Sequence, residues 1–182
     1  MVFLQQNIKK GFELICQINE LIHQIGTRHS LNLCTVQIFN HLKTVKMKRF
    51  ISTQHEIAAP IDKIWSKIAQ GDGVESWLPI IKSSTLEAGN RRFCEMHEGG
   101  KLEETILASE GTKTFMYSID KQEAFPAKNI VGTMRVEKST EGNTKLFWDV
   151  EMEVEEDEVF AELKNNIEQV YQMSAAKLSE IA

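Results

Sequence analysis

The chain has 182 residues, of which 42% are hydrophobic and 26% are charged. This length and composition fit one globular domain and exclude collagen-like, low-complexity and large multidomain architectures. The 26 acidic residues outnumber the 21 basic ones, which argues against a nucleic-acid partner held through its phosphates.

The cysteines and histidines form no recognisable metal or redox motif. Cys16, Cys34 and Cys94 lie far apart in the sequence, without a CxxC pair. We therefore expect free thiols in a reducing cytoplasm, and neither a metal nor another cofactor. His55 and His97 are candidates for proton transfer because histidine changes its charge near neutral pH; the alternative is that both are solvated or structural.

Residues 1–46 differ from the rest of the chain in charge. They hold five basic and two acidic residues, a balance of +3, whereas the remainder holds 16 basic and 24 acidic residues, a balance of −8. We place a domain boundary there. Helical spacing of apolar residues predicts an amphipathic helix that binds a membrane surface or a partner; these residues are Ile8, Phe12, Ile15, Ile22 and Ile25. The alternatives are a poorly ordered extension and a stretch upstream of a natural start at Met47. Interspersed polar residues exclude a signal peptide or a membrane-spanning helix in this segment.

A strand and two short helical segments follow the boundary. Residues 49–57 alternate between two faces, as a strand does. Pro60 at a first helical position and Asp62 in the first turn predict the start of a helix. A second helical turn over residues 74–77 must end before Pro79. We expect Trp65 and Trp77 to pack these helical segments against a sheet.

Six more strands and one long helix complete the predicted elements. Turns rich in Gly, Asn and charge separate the strands, so consecutive strands should pair antiparallel; the strands are residues 80–86, 91–96, 102–109, 114–120, 130–137 and 145–154. A helical pattern then runs from Asp157 to about residue 181. The sequence predicts an α+β fold in which a curved seven-stranded antiparallel sheet wraps around the long C-terminal helix. Sheet twist should leave a cavity between the two.

The apolar faces of the predicted elements identify candidate ligand contacts. They are Leu102, Glu104, Ile106, Tyr117, Met134, Trp148, Val150 and Met152 on the strands, and Phe160, Leu163 and Ile167 on the helix. Glu104 is the acidic member of this apolar set, and burial should raise the pKa of its carboxyl unless a partner compensates. It is either an anchor for a ligand hydroxyl or amine, or a water-bridged carboxylate at the rim. Tyr117 is a cavity residue or a core residue. The methionines, among them Met96, Met116, Met134, Met152 and Met173, form a deformable lining or plain core.

Several short motifs in order carry a family resemblance. They are residues 59–65 after the first strand, Trp77-Leu78-Pro79, the turn and strand at residues 99–104, Phe147-Trp148 and the final helix. Together they resemble the START/Bet v 1-like superfamily, also called SRPBCC or polyketide cyclase/dehydrase and lipid-transport proteins. The resemblance covers residues 47–182 and implies a helix-grip fold.

Within that superfamily, the chain looks most like proteins related to abscisic-acid receptors. This resemblance implies a gate loop over the cavity mouth with Gly99, Gly100 and Lys101, and a facing latch loop with Phe125 and Pro126. It also implies that Glu104 and Tyr117 point inward. The gate lacks the receptors' Ser-Gly-Leu-Pro-Ala pattern, and Leu78 stands where they carry a lysine. Abscisic acid is therefore not expected as the ligand.

Three functions remain open from the sequence. The first is binding of a hydrophobic or amphipathic small molecule such as a lipid, an isoprenoid or a polyketide-like compound. The second is a small cyclase, dehydratase or hydrolase that uses Glu104 as base and Tyr117 as acid. The third is ligand-dependent docking of another protein, and a homodimer is equally compatible. The chain carries none of the common nucleophile-elbow, phosphate-loop, dinucleotide or zinc-protease motifs.

Overall fold

A computed structural model of the chain describes residues 47–182. The amphipathic helix predicted within residues 1–46 lies outside the described residues, and the boundary at residue 46 stays a prediction. The strands are β1 (Lys48–Ile57), β2 (Ile81–Glu87), β3 (Arg91–Met96), β4 (Lys101–Ser109), β5 (Thr114–Gln122), β6 (Lys128–Lys138) and β7 (Thr144–Glu153). Helix α1 (Ile61–Ala69) and a 3₁₀ turn (Val74–Ser76) lie between β1 and β2, and helix α2 (Asp157–Ile181) follows β7.

The strands form one antiparallel sheet in the order β1-β7-β6-β5-β4-β3-β2. Short turns join each strand from β2 to β7 to its neighbour, and β1 pairs with β7 along its whole length. Register shifts interrupt the pairing of β2 with β3, β4 with β5, and β6 with β7. Such bulges bend strands, and the sheet is curved, as predicted.

Strand alternation assigns one face of the sheet to the interior. In β7, Trp148, Val150 and Met152 are buried, whereas the residues between them are half-buried. In β6, Ile130 and Met134 are buried on the same face. These observations confirm the inward faces predicted from the sequence for both strands.

Helix α2 covers the concave face of the sheet. It spans 25 residues, and its buried positions share one side of the helix; they are Leu163, Tyr171, Ser174, Ala175 and Leu178. Asp157 and Glu158 occupy its first turn, where acidic side chains favour the positive end of the helix dipole. Among residues 47–182, no helix is long and apolar enough to cross a membrane.

The segment between β1 and β2 follows from local sequence signals. Pro60 precedes the first residue of α1, and Ile61, Ile64 and Ile68 bury one face of that helix. Gly71 has a φ of +67°, a left-handed conformation that glycine adopts readily, and it redirects the chain after α1. The turn places the carbonyl of Gly71 close to the inner face of β3, where it contributes to the candidate site.

Candidate functional site

A cavity of about 450 Å³ lies between α2 and the concave face of the sheet. Its wall is largely apolar and includes an aromatic group consisting of Trp77, Phe115, Tyr117, Phe125, Trp148 and Tyr171. The polar lining residues are Arg92, Cys94, Glu98, Glu104, Asn166 and Gln169. A concave, apolar enclosure with a few polar groups is typical of small-molecule sites.

Most of the residues proposed from the sequence lie in this wall. They are Leu102, Glu104, Tyr117, Phe125, Met134, Trp148, Val150, Met152, Leu163 and Ile167. Of the residues proposed on the strands and the long helix, two lie elsewhere. The Ile106 side chain fills the space that Gly71 leaves open, because a Cβ on Gly71 would come within 2.2 Å of Ile106 Cδ1. Phe160 lies under the guanidinium of Arg49, 5.3 Å from its ring centre.

The methionines proposed as a deformable lining also differ in whether they reach the cavity. Met96, Met134, Met152 and Met173 line the cavity, whereas Met116 is exposed on the opposite face of β5. Trp77, expected only to pack a helical segment, also lines the cavity and tilts against Trp148, with ring centres 6.0 Å apart.

Neither histidine proposed for proton transfer lies in the wall. His97 is exposed beside the β3–β4 turn, and His55 is half-buried on β1. Burial lowers the pKa of His55. The chemistry available inside the cavity therefore comes from other side chains.

An aromatic cluster joins α2 to the sheet inside the cavity. The rings of Trp148 and Tyr171 stack with centres 3.7 Å apart and planes 6° apart. Trp148 Nε1 donates a hydrogen bond to the Tyr117 hydroxyl at 3.2 Å, and that hydroxyl shares a second hydrogen bond with the Tyr171 hydroxyl at 3.2 Å. The Tyr117 ring lies over Gly132, where a Cβ would come within 2.0 Å of Tyr117 Cζ. The cluster therefore requires glycine at that position.

The hydroxyl groups of Tyr117 and Tyr171 leave one hydrogen-bond donor without an acceptor inside this cluster. Trp148, Tyr117 and Tyr171 each carry one polar hydrogen, and the two hydrogen bonds between them use two of these three. Burial raises the pKa of both tyrosines, so each phenol stays protonated at neutral pH. The remaining O–H is available to an acceptor on a ligand.

A buried ion pair forms the second polar group of the wall. Arg92 Nε donates to Glu104 Oε2 at 2.7 Å, and the side chains of both residues are only 5% exposed. Arg92 Nη1 also donates to the Gly71 carbonyl at 3.0 Å. Burial favours a lower pKa for the guanidinium, but the charge and hydrogen bond of Glu104 outweigh it and raise that pKa overall. The partner that Glu104 was expected to need is Arg92.

Cys94 completes this group without adding a nucleophile. Its thiol is 3.4 Å from Glu104 Oε2 and donates a weak hydrogen bond to it. Burial, and next the negative charge of Glu104, raise the pKa of the thiol to about 12. A protonated thiol is a poor nucleophile, so Cys94 acts as a small polar lining residue.

The sequence also contains a signal that identifies Arg92 as a cavity residue. Arg92 and Cys94 are two residues apart and therefore lie on one face of β3. The turn at residues 97–99 folds β3 back on β4 so that Arg92 pairs with Glu104 and Cys94 pairs with Leu102. Counting six residues in each direction from Glu98, at the centre of that turn, places Arg92 opposite Glu104.

The proposed gate and latch loops lie next to each other. Gly99 and Gly100 have φ values of +87° and +97°, and a Cβ on Gly100 would be 3.3 Å from Ala124 Cβ in the facing loop. Glu98 and Phe125, one from each loop, line the cavity. The turn glycines, Lys101 and Pro126 are exposed and do not line it.

Gln122, which sequence reasoning missed, holds the latch loop in shape. Its Nε2 donates to the carbonyls of Phe125 and Ala127 at 3.2 and 2.8 Å, and its Oε1 accepts from the Phe125 N–H at 2.7 Å. One side chain thus fixes both ends of the turn that carries Phe125.

Comparison with known proteins agrees with this architecture. The sequence model for polyketide cyclase/dehydrase and lipid transport proteins matches residues 49–181. The chain belongs to this family. A comparison with curated protein sequences found no match.

Several solved structures have the same helix-grip fold as this chain. XoxI from Bacillus cereus is 25% identical, with a TM-score of 0.64 over 72% of this chain and 93% of XoxI. Ara h 8.0201 is 17% identical, with a TM-score of 0.58 over 72% of this chain and 98% of that protein. A START superfamily protein from Mycobacterium smegmatis is 13% identical, with a TM-score of 0.55 over 68% of this chain and 94% of that protein. The Bet v 1/START-like resemblance is confirmed.

Proposed function

We propose that the protein binds one hydrophobic or amphipathic small molecule in the cavity under α2, as a cytoplasmic carrier or sensor. The observation that carries this proposal is the apolar enclosure of about 450 Å³ itself. A well-packed core contains few voids larger than a water molecule, so an apolar space of this size supports binding of a small molecule. The aromatic wall supports flat or ring-containing ligands.

The ligand enters, in this proposal, between the β3–β4 turn and the β5–β6 loop. Gly99 and Gly100 have the positive φ values that glycine tolerates and give that turn freedom to move. The opposite loop is held by Gln122 and presents Phe125 to the cavity. We infer that the turn moves while the opposite loop stays in place, which makes the entrance a gate.

Titration with N-phenyl-1-naphthylamine, an uncharged apolar fluorophore, tests the proposal. We expect one probe molecule to bind per chain. Ala127→Phe adds a ring to the buried wall of the cavity and should weaken binding at least about fivefold, because it removes the space that the probe fills. Ala161→Phe, on the exposed side of α2, is the matched control and should bind as the unmodified protein does. Equal binding by both variants would place the probe outside the cavity.

An enzymatic function has a specific observation in its favour. Glu104 and Tyr117, the proposed base and acid, line the same cavity, and the family description includes cyclases and dehydrases. Against it, Glu104 Oε2 already accepts hydrogen bonds from Arg92 and Cys94. Native mass spectrometry of protein from its own cells separates the two functions. A carrier releases the retained molecule unchanged after further incubation, whereas a dehydratase, or a cyclase that dehydrates its aldol product, converts it with loss of water.

A further inference from the structure

The polar groups of the cavity wall indicate which ligand charge the cavity can accept. Among the described residues that line the cavity, Arg92 is the only cation, whereas Glu98 and Glu104 are anions. The charge of Arg92 is matched by Glu104 at 2.7 Å, with both side chains withdrawn from solvent. An anionic ligand would therefore enter a wall whose single positive charge is already neutralised.

We infer that the buried Arg92–Glu104 pair makes the cavity prefer ring compounds that carry an uncharged hydroxyl group over ring compounds that carry a carboxylate. The inference rests on the proposed function and names its ligand class. Moving a carboxylate out of water is costly unless a free positive charge receives it. The pair provides none, because Glu104 already matches the charge of Arg92.

A hydroxyl group suits the hydrogen-bonding capacity that remains. Glu104 Oε2 accepts two hydrogen bonds, from Arg92 and Cys94, whereas no residue within 47–182 donates to Oε1. Oε1 can therefore accept a hydrogen bond from a ligand hydroxyl. The Tyr117–Tyr171 pair has one O–H to give to an oxygen acceptor. A neutral ligand with a hydroxyl satisfies both groups, whereas a carboxylate has no hydrogen to give to Glu104.

The same geometry predicts how selectivity changes with sequence. Glu104→Gln removes the charge that neutralises Arg92 and leaves a buried cation facing the cavity. A ligand carboxylate can then replace the missing side-chain carboxylate. Glu103→Gln is a matched control, since Glu103 is the preceding residue of β4 and pairs with Arg91 and Lys121 instead.

The experiment compares two fluorescent probes on the full chain by titration at neutral pH. Anthracene-9-methanol and anthracene-9-carboxylate share one flat ring system and differ in the charge of the substituent. The unmodified protein should bind the alcohol at least about tenfold more tightly than the carboxylate. Glu104→Gln should tighten carboxylate binding at least about tenfold, and Glu103→Gln should leave both dissociation constants unchanged.

The outcomes separate this inference from the proposed function. Equal binding of both probes by the unmodified protein, or preference for the carboxylate, overturns the selectivity while the cavity function stands. Unchanged carboxylate binding in Glu104→Gln also overturns it. If neither anthracene derivative binds and N-phenyl-1-naphthylamine does not bind either, the proposed function fails as well. If Glu104→Gln does not fold, the double variant Arg92→Gln with Glu104→Gln is used, and it should still prefer the alcohol; carboxylate preference in that variant overturns the inference.

Discussion

Two ion pairs lie side by side on the same two strands of this protein and have different surroundings. Arg91 pairs with Glu103 at 3.0 Å on the outer face of the sheet, where the two side chains are 50% and 27% exposed. Arg92 pairs with Glu104 at 2.7 Å on the inner face, where both are 5% exposed. The residue types are identical, and only strand alternation separates them. The comparison shows that position on a face, rather than residue type, decides whether an ion pair belongs to the surface or to a site.

Breaking each pair in turn should give the largest difference between the two faces. Arg92→Met leaves Glu104 buried without its partner, and we expect it to lower the free energy of unfolding by about 3–5 kcal/mol. Arg91→Met removes an exposed pair and should cost about 1 kcal/mol or less. Urea denaturation of both variants measures the difference. Equal losses would contradict the account of the inner pair.

A methyl group added to each of two glycines sharpens the same contrast. Gly132→Ala drives a Cβ into the Tyr117 ring, so that the aromatic cluster must shift, and we expect a loss of about 1–3 kcal/mol. Gly111→Ala meets no atom within 4 Å and should change stability little. Thermal unfolding measures stability, and near-ultraviolet circular dichroism reports the tryptophan–tyrosine stack. A Gly132→Ala protein with an unchanged spectrum would show that the cluster does not depend on this close approach.

The latch loop offers a kinetic test of the cavity entrance. Gln122→Ala removes all three hydrogen bonds that shape the loop around Phe125. We expect N-phenyl-1-naphthylamine to dissociate several-fold faster, since residence time is the parameter most sensitive to such changes. Stopped-flow displacement measures this rate. Glu123→Ala, at the next residue, which is exposed, is the control. Equally faster dissociation in both variants would show that the hydrogen bonds of Gln122 do not control release of the probe.

The smallest expected effect is a pH dependence from His55 on β1. Burial lowers its pKa below the ordinary value of 6.5, so the unfolded chain takes up a proton before the folded protein does. Stability should therefore fall as pH drops below 6.5, down to the lowered pKa of the folded protein, and not change through this group above 6.5. His55→Gln should reduce that slope in urea denaturation between neutral and mildly acidic pH. If His55→Gln leaves the slope of stability against pH unchanged, the pH dependence comes from the carboxylates and not from His55.

The fold followed from the sequence because its signals are local. The alternation in β7 and the helical spacing in α2 each identify an element and its buried face. Several strand turns carry glycine or asparagine at positive φ positions, such as Asn90 and Gly99, whereas Lys113 occupies one in the β4–β5 turn. These patterns depend only on neighbouring residues, so one sequence is enough to interpret them.

The sequence predicted the site only in part. The depth of a residue in the cavity and its cross-strand partner depend on residues that are distant in the sequence. Alternation placed Ile106 on the correct face of β4 but gave no information about where the cavity ends. Helical spacing likewise grouped Phe160 with Leu163 although Phe160 packs against Arg49. The Arg92–Glu104 pair depends on strand register, and the contact of Tyr117 with Tyr171 depends on the position of α2.

Methionine methyl resonances test the central claim most directly, since the inner and outer faces each carry this residue. In protein labelled with carbon-13 at the methionine methyls, addition of anthracene-9-methanol should shift the resonances of Met96, Met134, Met152 and Met173, which line the cavity. Met116, exposed on the outer face, should not move. A shift of Met116 with the other four unchanged would place the ligand outside the cavity and contradict the account.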